Sequence, residues 1–335
     1  MPMLIRSRYG NGCRKKPGCE EHEVRDRDAK GRLPVRVDSI EFPSCSPCIG
    51  ALCDLPSIKL YCAPQLTFAT VSRKLQLLKK YIRYRLRASN SKGHGMHSPF
   101  VFEFITRVLN DHANYPAYAR VEGLRKKLLQ NNKILTIEDM GAGSAVNRHR
   151  ERMVSDLAKN AAKPRKYGQL LYRMVSYYRP AVVLELGTSL GITTSYLAAA
   201  APEARVITIE GADEVAEVAQ ENFHSLALDN IRLEKGNFDE VLGTILREEP
   251  RIDFAFIDGN HREEPTVRYF AQLLESCGND TVLVFDDIHW SEEMERAWER
   301  IKDHEAVRCT ADLFFIGIVW LRKEFLEKQH FTIMF

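Results

Sequence analysis

The sequence predicts an α/β fold: a doubly wound, mostly parallel sheet of seven strands with a helical addition ahead of it. Three observations carry this. From residue 181 onward, short apolar runs alternate with helical stretches. The runs are nearly continuous in Val, Ile, Leu and Phe, as in strands covered on both faces. The last strand-like stretch, "AVRCTADLFFIGIVWLRK", contains no helix, which predicts an antiparallel hairpin at one sheet edge.

Each element has its own signal. "VSRKLQLLKKYIRYRLRA" is a basic amphipathic helix, with Leu75, Leu78, Ile82 and Leu86 at helical spacing. No acid occurs between Asp54 and Glu103. Such a helix suits a nucleic-acid or anionic-membrane surface. The plainer reading is a helix that docks by its apolar stripe and leaves its lysines and arginines in water. "SPFVFEFITRVLND" reads as a second helix, capped near Ser98 with Pro99 in its first turn. "RERMVSDLAKNAAK" places Met153, Val154, Leu157, Ala158 and Ala161 on one helical face. "YGQLLYRMVSYY" is a helix closed by Pro180. The alternation follows: "AVVLELG", helix 191–200, "RVITIEG", helix 212–227, "IRLEKG", helix 238–247, "IDFAFID", helix 262–276, "TVLVFDD", helix 291–303.

This divides the chain of 335 residues into three parts. Residues 1–70 lack sustained periodicity, are rich in Arg, Pro, Gly and Cys, and are expected to be a disordered leader. A start site placed too far upstream would give such a leader; native peptides from residues 1–60 would rule that out. Residues 71–149 form the helical addition, a candidate lid, and residues 150–335 the ligand-binding domain. No apolar run approaches the roughly 18–20 residues of a membrane span. The start, "MPMLIRSRYGNGCRKKPGCEE", lacks the apolar region of a secretory signal. Six of eight cysteines fall in the first 62 residues: Cys13, Cys19, Cys45, Cys48, Cys53 and Cys62. "CSPC" could be half of a zinc site, but a second such pair is missing. Only Cys277 and Cys309 lie in the body, which suits a cytoplasmic protein. The net charge of +3 does not decide for or against a nucleic-acid partner.

Two glycine loops compete for a nucleoside ligand. "TIEDMGAGSAV" has the better spelling, with Asp139, Gly141 and Gly143. A nucleoside site also needs a following strand that ends in an acid about 20 residues on, to hold ribose hydroxyls. Only "VVLELGTSLGITTSYLA" has that context. Gly187 and Gly191 bracket its turn, and Glu210 ends the next strand nineteen residues after Gly191 (210 − 191). The spacing lacks the G-x-G-x-x-G of dinucleotide sites. A sulfonium nucleoside has no pyrophosphate to cradle and accepts a looser turn, and Glu185 inside the strand suits a ligand with an amino group.

At these residues the sequence resembles the class I S-adenosylmethionine-dependent methyltransferases. "VLELGTSLGITTSYLA", "ITIEGADEVAEVAQENF", "GNFDEVL" and "DFAFIDGNH" are similar to the family's successive motifs. "KYGQLLYRMV" followed by "VVLELG" resembles the catechol and caffeoyl-coenzyme-A O-methyltransferases. The likeness covers roughly residues 165–320. "HGMHSPFVF" and "EDMGAGS" resemble bacterial members of unassigned substrate, which extends it to about residue 75. It implies a Rossmann-like methyltransferase fold and S-adenosyl-L-methionine held by Glu185, Gly187, Thr188, Ser189, Gly191, Glu210, Gly211, Asn237, Phe238 and Asp258. Gly168 and Gln169 match the preceding helix.

Asp258, Asp286 and Asp287 end two strands at one sheet edge. Three oxygen ligands suit Mg²⁺ or another hard divalent ion, which would lower the pKa of an acceptor hydroxyl. Alternatively, Asp286 and Asp287 could cap the following helix or turn. The resemblance also points to macrolide-sugar O-methyltransferases, with an Asp pair after the fifth strand. His261 follows Asp258 where catechol enzymes place a lysine base; it is either the base or a helix cap. His289 and Trp290 are candidates for the acceptor pocket, and His94 and His97 for a lid. The expected reaction is O-methylation of a small-molecule hydroxyl. RNA or protein methylation through the basic helix and a non-catalytic cofactor-binding role are the alternatives. The oligomeric state is not legible.

Overall fold

The computed structural model describes residues 68–89, 92–93, 97–138 and 149–335, all within one compact unit, Pro64–Phe335. Its centre is a sheet of eight strands. β3 (Val182–Leu186), β4 (Arg205–Glu210), β5 (Ile231–Lys235), β6 (Ile252–Ile257) and β7 (Cys277–Asp286) are parallel. β9 (Ile316–Trp320) runs antiparallel to both β7 and β8 (Cys309–Asp312), as the hairpin reading expects. An eighth strand, β10 (Gln329–Thr332), pairs parallel with β8 and takes the edge, one strand more than the sequence suggested. The spatial order is β10-β8-β9-β7-β6-β3-β4-β5. The chain steps outward from β3 to β5, then returns to β3's other side with β6. The reversal between β3 and β6 opens a crevice at the carboxyl ends of the strands.

The parallel strands are joined by α6 (Ile192–Ala200), α7 (Asp213–Ser225), α8 (Phe238–Glu248) and α9 (Glu263–Leu274), and α10 (Glu292–Asp303) follows β7. Successive strand residues point to opposite faces. Val183, Val206, Phe254 and Val284 pack with Leu170, Leu171 and Met174 of α5 (Arg165–Tyr178) and Leu197 of α6. Leu184, Ile207, Ala255 and Leu283 pack with Leu242, Phe270 and Trp298 from α8, α9 and α10. Both faces are covered, which is why the strands read as continuous apolar runs.

The N-terminal addition holds α1 (Phe68–Arg87), α2 (Pro99–Phe104, extended by a π turn to Leu109), and α3 (Pro116–Leu128). It also holds a β-hairpin, so it is not wholly helical. β1 (Ile134–Glu138) pairs antiparallel with β2 (His149–Met153), and α4 (Val154–Asn160) follows. The helix expected across 150–163 therefore starts only at Val154. Met153 ends the strand and is exposed. The β-branched run "ILTIE" offers a pairing edge that outcompetes helix in the preceding residues. α3 packs a layer onto the body through Tyr118, whose ring meets those of Tyr115, Tyr172 and Tyr196.

α1 docks against the expected grain. Tyr81 and Tyr84 meet Phe314 with ring centroids 5.0 and 5.3 Å apart. The Tyr84 hydroxyl donates to the Ile333 carbonyl at 2.5 Å, and Lys80 pairs with Glu295 at 2.8 Å. The stripe of Leu75, Leu78, Ile82 and Leu86 faces solvent instead. Aromatic rings bury more area per residue and carry a polar tip, so the tyrosine face wins the contact. α2 starts far from the crevice: Phe100 packs edge-on against Trp320 at the amino end of β7. His97 is exposed just before it, while His94 lies outside the described residues. So do Asp139, Gly141, Gly143, the "CSPC" segment and all of 1–67.

Candidate functional site

A cavity of about 400 Å³ sits in the crevice. Gly187 and Ser189 wall it after β3, Glu210 and Gly211 at β4, and Asn237 and Phe238 after β5. Asp258, Gly259, Asn260 and His261 follow β6, Asp287 follows β7, and Lys163 leads into α5. A larger cleft of about 870 Å³ lies at the opposite strand ends. Its charges satisfy one another, with Arg205–Glu249 at 2.6 Å and Arg251–Asp253 at 2.7 Å, and no strand-to-helix glycine turn borders it.

The glycine turn has a steric cause. Gly187 has φ 107°, and a Cβ there would lie 2.2 Å from the Asp258 carbonyl oxygen. Only glycine lets the β3 and β6 loops come this close. Gly187→Ala is expected to cost about 3 kcal/mol or more of stability. Thermal unfolding checks this, and an unchanged midpoint would contradict the geometry. Gly191, at φ 75°, opens α6, and a Cβ there would meet the Phe223 ring at 2.4 Å. Three non-glycine residues in the left-handed region, Ser189, Asn260 and Asp287, all wall the cavity. Strain of this kind concentrates where a site fixes its side chains.

Glu210 is oriented by its own loop. Its carboxylate accepts the Ser189 amide at 2.7 Å and the Ala212 amide at 3.0 Å. Burial raises its pKa, and these amides work in the other direction. Asn237 caps α8 by accepting the Asp239 amide at 3.0 Å, so its side chain is occupied in folding. Phe238 lies against Gly259, where a Cβ would be 2.4 Å from the ring, and meets Tyr269 edge-on. Four expected residues sit behind the wall rather than on it. Thr188 hydrogen-bonds Thr208 between hydroxyls at 2.6 Å. Glu185 is fully buried and accepts from Thr194 and Thr208 at 2.5 and 2.7 Å. Gly191 packs on Phe223. Asp286 is 1% exposed. Gly168 serves helix packing, since a Cβ would reach the Tyr196 ring at 2.6 Å. The Gln169 carbonyl accepts from Tyr118 at 3.4 Å.

The carboxylates do gather, around a residue that the sequence reading missed. The Lys163 ammonium forms an ion pair with Asp286 and lies 3.7 Å from Asp258 and 3.9 Å from Asp287. Burial alone would lower the Lys163 pKa; the three carboxylates outweigh it and hold the ammonium charged. The Asp286 carboxyl is pushed well above the usual range by burial and by Asp258, against the pull of Lys163. Both directions have one source, a single ammonium facing three carboxylates in a buried cluster.

Asp258, His261 and Asp286 place ligand atoms within 4.8 Å of one another, and Asp286 Oδ1 is buried with no hydrogen-bond partner among the described residues. These features favour a cation, with His261 rather than Asp287 completing the set. That position holds the Lys163 ammonium, and a divalent ion would exclude it. As folded here, the residues do not fit a metal. The helix caps fall elsewhere: Ser291 caps α10 through the Met294 amide at 3.1 Å, and Arg262 is the N-cap of α9, while the Asp287 carbonyl accepts the Trp290 amide at 2.9 Å in the turn after β7. His261 instead points Nε2 to Asp258 Oδ1 at 3.5 Å on the cavity wall.

A second groove of about 950 Å³ also reaches His261, between α1 and the turn after β7. Trp290 borders it, half exposed. His289 borders it too, but both ring nitrogens are committed, to Glu295 at 3.1 Å and Asp312 at 2.8 Å. Burial works to lower its pKa and the two carboxylates raise it on balance. Its role is to fasten the turn beneath α1.

Residues 184–288 match a family model described as a methyltransferase domain. The matched stretch runs from β3 to just past β7 and supplies most of the cavity wall. Similar solved structures include the SAH-bound methyltransferase PaMTH1 of Podospora anserina, at 14% identity and TM-score 0.48, covering 68% of this chain and 99% of that one. The O-methyltransferase TomG of Streptomyces achromogenes, involved in tomaymycin synthesis and solved with SAM, shows 16% identity and TM-score 0.46, covering 65% and 95%. An O-methyltransferase of Bacillus cereus in complex with SAH shows 19% identity and TM-score 0.43, covering 66% and 97%. A search of the curated proteins gave no match.

Proposed function

We propose that the protein transfers the methyl group of S-adenosyl-L-methionine to a hydroxyl of a small-molecule acceptor. The observation that carries the reading is one cavity with two chemically different walls. On one side stand Glu210, the Gly187–Ser189 turn and Asn237–Phe238, which suit ribose hydroxyls, a close backbone approach and a flat base. On the other stand Asp258, His261 and Lys163, which suit a reacting oxygen and its proton.

His261 is the base in this reading. Its ring borders both the cavity and the outer groove, so an acceptor entering along the groove meets it first. The acceptor oxygen gives its proton to the imidazole and its electron pair to the methyl carbon. The sulfonium C–S bond breaks and S-adenosylhomocysteine leaves. Asp258 steadies the imidazolium, and Lys163 offsets the negative charge of the wall. The protein otherwise fixes the line of transfer and excludes water. Assistance by Mg²⁺ at Asp258, Asp286 and Asp287 would require Lys163 to withdraw.

Calorimetry with S-adenosylhomocysteine tests the cofactor half. The protein is expected to bind it, and Glu210→Ala to weaken binding at least tenfold, the loss of roughly 1.5–3 kcal/mol in hydrogen bonds to a charged group. Asp139→Ala is expected to leave binding unchanged. No binding by the unmodified protein would overturn the reading.

A further inference from the structure

α1 presents two faces, and among the described residues only one is used. Tyr81, Tyr84 and Lys80 hold it to the body. On the other face Leu75, Leu78 and Ile82 are about half exposed, at 51%, 52% and 51%, and Leu86 is 82% exposed. Single exposed leucines are ordinary; four in a row along one helix face are not. At 1.5 Å per residue the stripe is roughly 16 Å long. Stepping 100° per residue puts Lys79 and Arg83 on one flank and Arg85 on the other, all exposed. The helix contains no acid.

We propose that α1 docks the protein on the surface of an anionic lipid bilayer. An apolar stripe flanked by Lys and Arg matches the boundary between acyl chains and negative headgroups. The leucines enter the acyl edge while the cations stay among the headgroups. Charge decides against the other occupants. A second copy related by a two-fold axis would bring two acid-free basic helices together. RNA would neutralise the cations but leave the leucines in water. The helix also walls the groove that reaches His261, so docking brings that groove to the headgroup layer.

The test is co-sedimentation of the full chain with vesicles of phosphatidylcholine, alone or mixed with phosphatidylglycerol. Binding is expected to the mixed vesicles, weakly to the neutral ones, and to fall as salt rises. Ile82→Ser with Leu86→Ser is expected to lower affinity for mixed vesicles at least about tenfold, because two inserted side chains are lost. Circular dichroism should not change and the unfolding midpoint should move little, since Ile82 is half exposed and Leu86 mostly so. Undiminished binding by the double variant would overturn the proposal by showing a purely electrostatic contact. So would absence of vesicle binding by the full chain. In that case a dimer in light scattering that the double variant splits assigns the stripe to a second copy. RNA binding with no vesicle binding assigns the basic flank to nucleic acid.

Discussion

Glu185→Gln is expected to remove a large pH dependence of stability between about pH 4.5 and about pH 8. Burial raises the Glu185 carboxyl from 4.5 to about 8, and the Thr194 and Thr208 hydroxyls offset this only in part. Its second oxygen, Oε1, has no partner among the described residues. The sign follows from proton counts. In the unfolded chain the group ionises near its ordinary value, whereas in the folded protein it keeps its proton until about pH 8. Over that window the folded state binds more protons, so stability falls as pH rises. At 1.36 kcal/mol per unit the full shift corresponds to a loss of order 5 kcal/mol by alkaline pH. Gln is neutral throughout, so the variant's unfolding midpoint should lack this decline. Above pH 8 the variant should be the more stable protein. Because Glu185 lies behind the cavity wall, S-adenosylhomocysteine binding should survive the change. Parallel pH profiles for the two proteins would refute the buried-carboxyl account, and abolished binding would return Glu185 to the cofactor.

That residue shows what the sequence could tell. Its place at the end of an apolar run, before Gly187, correctly marked the strand and the turn. Spelling alone did not reveal that a β3 side chain points into the sheet's packed layer, with Thr208 of β4 and Thr194 of α6 closing over it. The alternation of β3 to α10 was legible because local periodicity fixes each element. Glu210, Gly187 and Asp258 were legible because the ends of parallel strands converge by topology. The docking face of α1 was not, since an apolar count favours leucines while the fold used tyrosines. Nor was the hairpin β1–β2, which depends on pairing across ten intervening residues, 139–148. Lys163 was the furthest out of reach. It stands in "NAAKPRK", with nothing local to separate it from other lysines, and its partner Asp286 lies 123 residues on.

Lys163→Met is expected to turn an internally neutralised site into one that needs an external cation. Among the described residues, removing the ammonium leaves Asp258, Asp286 and Asp287 together with only the His261 imidazole beside them. Breaking a buried ion pair by deleting one partner costs about 3–5 kcal/mol, because the other charge stays uncompensated. The unfolding midpoint of the variant should fall accordingly in chelator. Mn²⁺ or Mg²⁺ should then bind, since hard carboxylate oxygens and an imidazole lie within reach of one point. Binding to the folded state alone returns about 2.7 kcal/mol at a hundredfold excess over Kd. The midpoint should therefore recover with added metal in the variant and stay put in the parent protein. Lys163→Arg keeps the charge and should not acquire the response. If the parent protein binds Mg²⁺ and is stabilised by it, Lys163 must swing aside, and the three aspartates are a metal site after all. The parent's midpoint is unmoved by metal in one outcome and raised in the other, which separates a lysine-held from a metal-held wall without knowledge of the acceptor.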